Sequence, residues 1–540
     1  MAIRFRRSVR FGFRGRGASM ASLGAMSLAV VFLAPAARAA DDRPVVIARD
    51  MDFGSLDPAR GYCDTCQMYF NATYDTLVTL APGKTDYVPE LATSWEANAD
   101  LTRFTFHLNP KATFSDGTPV TSKDVKWTFE RLHNLKASPS LLMDGLKTVE
   151  TPDPLTAVVV WDAPNSETIG DVSSVFAGII NSAAASKVGA TSDADAATKD
   201  TADPGFQAAS MGSGPFVLDS FKPNDQIVMK KNPTYWGKPA GVSSVIIKQV
   251  KDAVSQLQSL QTGGADIATQ IDPDTAASIH DDKLTVEQQP SFNFVFLALQ
   301  PGAPGADGKL TPPVREAIRD AIDYQGLLDF IIGGKGRLLA SPVPIGFPGT
   351  TGLPIPKQDV EKSKALLAKA GIDSLTLDAS FPAMNIFGAD IATMMQKIQQ
   401  DLAKVNVKLN LDPLTFSVWV DKTQSGKTPV WAGYFAPDYV GTGDYLKYFG
   451  LLPGTFVSVG SGLEKMPEGT NKKEADLFKQ ALAANGDKAE SLFKQTAEAM
   501  IDDRIVFPLM SPDVLIVRNE DVQGVVYSPL CNLLLPELHR

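Results

Sequence analysis

Two cysteines stand three positions apart in RGYCDTCQ, Cys63 and Cys66. At this spacing two thiols can close a small disulfide loop, supply half of a zinc site, or exchange electrons with another dithiol. A zinc ribbon needs a second such pair, whereas the third cysteine of the chain, Cys531, is alone in the apolar run SPLCNLLL. A thioredoxin-like centre belongs in a βαβ setting, yet LDPARGY before the pair is made of turn residues. Cys66, Phe70, Thr73 and Leu77 repeat at helical spacing, which would put Cys66 at a helix N-terminus, where exposed amides favour a thiolate. Spacing alone leaves the pair open between a structural disulfide, free thiols that touch a ligand, and metal or redox chemistry.

The other reactive side chains form no catalytic pattern. His107, His133, His280 and His539 make no H-E-x-x-H array. No serine occupies a G-x-S-x-G elbow, and the glycines around Lys335 lack the order that wraps a nucleotide phosphate. No metal or cofactor site is expected from these residues, and no enzymatic activity.

The compartment narrows the cysteine question. Residues 1–39 hold seven arginines and no acid, then the apolar run MASLGAMSLAVVFLAPA and the small-residue site Ala37-Arg38-Ala39, the three-part layout of a cleaved secretion signal. Arg6-Arg7 is a loose match to a twin-arginine signal, and plain Sec export fits as well. No cysteine near the cleavage site could carry a lipid, so the mature chain is expected free in a periplasm. There, two cysteines this close tend to oxidise. Removing seven of 51 basic residues leaves 44 against 61 acids, a net charge of about −17, which argues against nucleic acid and anionic membranes as partners.

Strands and helices mix along the 540 residues without a fixed repeat, and the length suits two or three domains. RFTFHL alternates apolar and polar residues as a half-buried strand does; 155–161, 245–250, 292–299, 405–411 and 514–517 are further strands. Thr121-Ser122-Lys123-Asp124 has the form of a capping box, and Val125, Phe129 and Leu132 continue at helical spacing. Helices are also expected over 314–321, 359–370 and 391–402. The runs 475–483 and 489–500 share LFKQ and suggest a helical hairpin. The Ala- and Asp-rich stretch 183–209 reads as a loosely ordered surface excursion, and 300–313 as a long loop near a domain boundary.

Several stretches, in order along the chain, resemble the extracellular solute-binding proteins, family 5, of ABC importers, a group that includes dipeptide-, oligopeptide- and nickel-binding members. They are Leu56-Asp57-Pro58-Ala59, Tyr74-Asp75-Thr76-Leu77-Val78, PELATSWEANADLTRFTFHLNPKATFSDGTPVTSKDVKWTFERL (89–132), GSGPFVLDSFKPNDQIVMKKNPTYWG (212–237), VREAIRDAID (314–323) and LLAKAG before Ile372. The resemblance implies an α/β, type II-like periplasmic-binding-protein clamshell of two lobes with an extra subdomain inserted near the N-terminus. Lobe I would comprise 41–82, 211–298 and 505–540, the inserted subdomain 83–210, and lobe II 299–504.

The resemblance further implies a monomer that closes over a ligand and delivers it to a permease in the inner membrane, without a cofactor. In the peptide-binding members, an acid within aromatic-x-x-Asp-Tyr-x-Asp-Pro meets the ligand's α-ammonium. Here Asp438 and Tyr439 match, while Gly441 and Thr442 replace Asp-Pro, so a peptide or peptide-like amine leads, with opines, glycosides and chelated metals behind it. Trp419, Trp431, Tyr434 and Phe435 are candidate cleft aromatics, and Asn293 a candidate polar contact. The loop of Cys63 and Cys66 would border the cleft as a disulfide-shaped edge that presents Tyr62. The rival of another class is an exported thiol-disulfide enzyme centred on the same two cysteines.

Overall fold

A computed structural model describes residues 43–463 and 470–540. The secretion signal read over 1–39 lies outside the described residues. Two β-sheets dominate. The first orders its seven strands as Leu284–Gln289, Val514–Asn519, Ile267–Ala268, Val45–Arg49, Ser244–Gln249, Gln226–Lys231 and Phe216–Lys222. At its centre VVIAR pairs in parallel with both neighbours, and four of its five side chains are buried, as a strand covered on both faces requires. The second sheet orders Gly336–Arg337, Val506–Pro512, Phe294–Leu299, Val430–Phe435, Leu375–Pro382 and Val407–Leu414. FVFLAL in its interior is wholly buried.

The sheets exchange chain at two places, 290–293 and Asp513. Polar groups knit these crossings: Ser291 Oγ donates to the Pro512 carbonyl, and Ser511 Oγ to that of Ser291, at 2.5 and 3.1 Å. Strands 294–299 and 506–512 thus belong to the second sheet, although nearly all of their residues fall in the segments 211–298 and 505–540 read above as lobe I. Periodicity finds a strand but carries no information on which sheet it joins. The Pro/Gly-rich 300–313 follows a strand of the second sheet, shortly after the crossing at 290–293.

A four-stranded antiparallel sheet, 92–97, 103–108, 156–161 and 146–153, forms a separate layer. Its RFTFHL strand buries Phe104, Phe106 and Leu108 and turns His107 outward, as the alternation predicts. The helix Ser122–Leu135 packs on it; both halves of its capping box form, with Thr121 and Asp124 bonded reciprocally. The stretch 183–209 corrects the expectation of loose order. It contains three short helices, Ser182–Lys187, Ala196–Lys199 and Asp203–Ala208, and buries Ala185, Ala196, Ala202 and Phe206. Asp200 accepts from Arg131 and Arg60 there, and Arg131 also grips Asp57, so small residues and one ion-pair cluster do what large apolar residues would otherwise do. The helices Thr470–Leu482 and Gly486–Asp503 form the hairpin, and the phenylalanines of its shared LFKQ, Phe478 and Phe493, lie 6.3 Å apart. Among the described residues no helix is long and apolar enough to cross a membrane.

Candidate functional site

Turn chemistry builds the near wall of the site. Gly61 precedes Tyr62 because a Cβ there would lie 2.5 Å from the Ser55 carbonyl oxygen and 2.8 Å from the Phe70 ring. Cys63 then caps the helix Asp64–Thr73, its Sγ accepting from the Cys66 amide, and the two cysteines form a disulfide with Cα atoms 5.1 Å apart. Asp52 accepts from the amides of Asp64 and Thr65, so the helix end already has its anion. Cys66 is fully buried and bonded to Cys63, so neither sulfur is a free thiolate in this state. The disulfide shapes the turn that carries Tyr62. Cys531 is buried and unpaired.

Tyr62 reaches a distant part of the chain. Its hydroxyl donates to Asp438 Oδ2 at 2.8 Å, and its ring lies 5.2 Å from Phe176 and 6.3 Å from Tyr448. Gln67, one turn into the same helix, donates from Nε2 to the Pro437 carbonyl at 3.2 Å, while its Oε1 is buried without a hydrogen-bond partner. Asp438 is 1% exposed and makes no ion pair within 4 Å among the described residues. A local amide-capping role falls to Asp444, whose Oδ2 accepts from the Asp438 amide at 2.8 Å, leaving the Asp438 carboxyl free of the turn.

Burial pushes the Asp438 carboxyl up to about 7; the Tyr62 hydroxyl and the charge of Lys447 pull the other way. Burial likewise raises Asp444, with the Asp438 charge adding to the effect, and takes Glu167 up to about 7. Lys447 Nζ bonds Asp171 at 2.9 Å and lies 5.5 Å above the Tyr439 ring. Three buried carboxyls, Asp171, Asp438 and Asp444, and the half-buried Glu167 therefore lie around one lysine, Lys447, among the described residues. The departure from Asp-Pro at 441–442 has a steric reason: a Cβ on Gly441 would lie 2.1 Å from Glu167 Oε2.

These elements enclose a cavity of about 560 Å³, within the roughly 300–1,000 Å³ of small-molecule sites. Of the residues singled out in the sequence, Tyr62, Cys63, Trp419, Tyr434, Phe435 and Asp438 line it. Tyr439, Trp431, Asn293 and Cys66 do not. Tyr439 is wholly buried beneath the site against Gly170 and Gly441. Trp431 is interior, packed on Phe296, Trp419 and Phe456. Asn293 stands at the crossing between the sheets, donating to Asn532 Oδ1 at 3.0 Å. The sequence reading missed Gln67, His133, Lys136, Phe416, Tyr448 and Phe456 on the walls. Gln67 directly follows Cys66 in the same helix, the one local signal; the others come from separate parts of the chain.

Two lobes of mixed α/β sheet with a cavity that carries one buried acid, Asp438, have the form of a ligand-binding clamshell. The chain belongs to the bacterial extracellular solute-binding proteins, family 5, whose middle-region model matches residues 86–454. It is 29% identical over 522 residues, 94% of this chain and 96% of the other, to the probable D,D-dipeptide-binding periplasmic protein DdpA of Escherichia coli K12. In fold it is similar to the periplasmic binding protein DppA of Helicobacter pylori in complex with the peptide STSA, with TM-score 0.78, 20% identity, and 92% and 98% of the two chains covered. It is also similar to AgaA of A. tumefaciens R10 in complex with agropinic acid, with TM-score 0.77, 21% identity, and 92% and 96% covered.

Proposed function

We propose that this protein is the periplasmic substrate-binding subunit of an ABC importer, a monomer that captures a short peptide or peptide-like amine between its lobes and delivers it to the membrane permease. The observation that carries this reading is the pairing of two acceptors on the cavity wall. Among the described residues the Asp438 carboxylate has no cationic partner within ion-pair distance, and Gln67 Oε1 has no donor. An ammonium group offers both what they lack, and a charge-assisted hydrogen bond in a buried site is among the stronger polar contacts. The likeness to a dipeptide-binding relative over almost the whole chain supports the same class. Nothing in the reading calls for a catalytic step.

A thermal-shift panel of L,L- and D,D-dipeptides, opines, glycosides and metal chelates tests it, because a ligand that binds only the native state raises its melting temperature. Peptides are expected to shift the transition, and N-acetylated peptides are not. A shift with glycosides or chelates alone would overturn the amine reading, and no shift with any class would overturn the transport role.

A further inference from the structure

A second cavity, of about 580 Å³, shares none of the lining residues of the first. One wall comes from residues 338–359, which form neither helix nor strand and bring Pro342, Pro354 and Pro356 to the lining. Each proline ring fixes its φ, so this wall is stiff without a ladder of hydrogen bonds. Its end is pinned to the helix Pro312–Ala321: the Asp359 amide donates to the Asp320 carbonyl at 2.6 Å, and Gln358 Nε2 to that of Ala321 at 2.8 Å. Phe507 and Pro508, from the strand Val506–Pro512, add apolar surface.

Tyr324, the first residue of the helix Tyr324–Ile332, lines the same cavity. It is 1% exposed, and its hydroxyl has no hydrogen-bond partner among the described residues. Burial pushes this hydroxyl up, against the pull of the Arg319 charge, so it keeps its proton and stands as a donor without an acceptor. A buried donor left unpaired is unfavourable, and a ligand that supplies the acceptor relieves it. The charged lining leans the same way: among the described residues it consists of Arg319, Lys357 and Lys362 against Asp320 and Asp359. Asp320 is held by both Arg319 and Lys362, at 3.1 and 2.7 Å, and Asp359 Oδ1 accepts from the Lys362 amide at 2.9 Å. Lys357 is exposed and makes no ion pair among the described residues.

We infer that this cavity is a second ligand site, which takes a small molecule with an apolar body and one carboxylate, the body against the prolines and Phe507 and the anion accepting from Tyr324 and offsetting Lys357. The inference stands apart from the amine reading, because the two cavities have no lining residue in common.

The probes are naphthylacetate and its neutral amide, titrated into the protein by calorimetry. The acid is expected to bind saturably, and roughly tenfold or more tightly than the amide, the worth of one charged hydrogen bond. Tyr324→Phe should weaken the acid by about tenfold without lowering the melting temperature of the unliganded protein, since the hydroxyl gives up no protein partner. Lys357→Met should narrow the preference for acid over amide by about two- to fivefold, as suits an exposed charge. Ala340→Trp, which puts a large ring into the lining, should abolish binding of both probes. No saturable binding, or equal binding of acid and amide by the wild type, would overturn the inference. So would an affinity for the acid that neither Tyr324→Phe nor Ala340→Trp changes, because the probe would then sit elsewhere.

Discussion

Replacing Asp438 by Asn should raise stability at high pH and weaken binding of a cationic ligand in the same variant. The Asp438 carboxyl titrates at about 7 against an ordinary 3.8, because burial disfavours its charge. Such a group holds its proton more tightly in the native than in the unfolded chain. Its favourable contribution is complete below about 3.8 and is lost as pH rises through about 7. At 1.36 kcal/mol per unit, the loss amounts to about 4 kcal/mol. Asn cannot ionise, keeps an oxygen to accept the Tyr62 hydroxyl, and leaves the Asp438 amide bonded to Asp444. Removing the Asp438 charge also eases ionisation of Asp444, which works in the same direction. Urea unfolding of the ligand-free wild type and Asp438→Asn from pH 4 to pH 8 should therefore diverge, with the variant ahead by up to about 4 kcal/mol at the alkaline end and equal at the acid end. On the proposed function, the variant should also bind an amine ligand about 1.5–3 kcal/mol more weakly. Parallel stability curves would refute the account of a buried, charge-strained carboxyl, and unchanged affinity would remove Asp438 from the ligand.

Three further predictions concern the frame of the site. Arg131→Met removes the buried arginine that holds the carboxyls of Asp57 and Asp200, leaving only the partly exposed Arg60 beside them, and should cost up to about 3–5 kcal/mol in urea unfolding. Asp200 is held down to about 2, so its contribution is present above about 3.8 and is lost as pH falls toward 2; the variant should lack that part of the acid limb. The double variant Cys63→Ser, Cys66→Ser should lose no more than about 2 kcal/mol, because the loop closed is so short, yet should bind ligand more weakly as the turn bearing Tyr62 relaxes; calorimetry of the oxidised, reduced and serine forms separates the two effects. Gly170→Ala places a Cβ 2.2 Å from the Tyr439 ring and should cost about 1–3 kcal/mol, whereas Gly54→Ala, with nothing within 4 Å, should not, as paired thermal melts would show.

Much of the secondary structure was legible because its signals are local. RFTFHL shows its buried face by alternation, and the Thr121–Asp124 cap marks a helix start within four residues. The Asp438 motif and the cysteine turn could likewise be found from short segments. What stayed hidden depends on distant partners. Trp431 and Tyr439 are as aromatic as Trp419 and Tyr434, and only packing decides that the first two are core and the others wall. Lys136 reads as the cationic end of any helix, and only the folded chain brings it to the cavity wall. Gly441 looked like a departure from a motif until Glu167 occupied the space it leaves.

Those contacts converge on one segment. Residues 437–447 receive Tyr62 and Gln67 as well as Tyr87, Glu167 and Asp171: the Tyr87 hydroxyl donates to the Val440 carbonyl at 2.7 Å, and Glu167 accepts from the Gly443 amide at 3.2 Å. Each contact joins separate parts of the fold, so the four carboxyls and Lys447 are desolvated together only when those parts meet. Bringing excess negative charge out of water opposes that meeting. On the proposed reading, a ligand ammonium at Asp438 offsets the opposition only in the closed arrangement, and this difference between arrangements is what a ligand needs in order to shift their populations. A neutral isostere of the same shape would fill the cavity without that difference. Charge, more than cavity volume, is therefore expected to separate ligands that close the protein from molecules that merely fit.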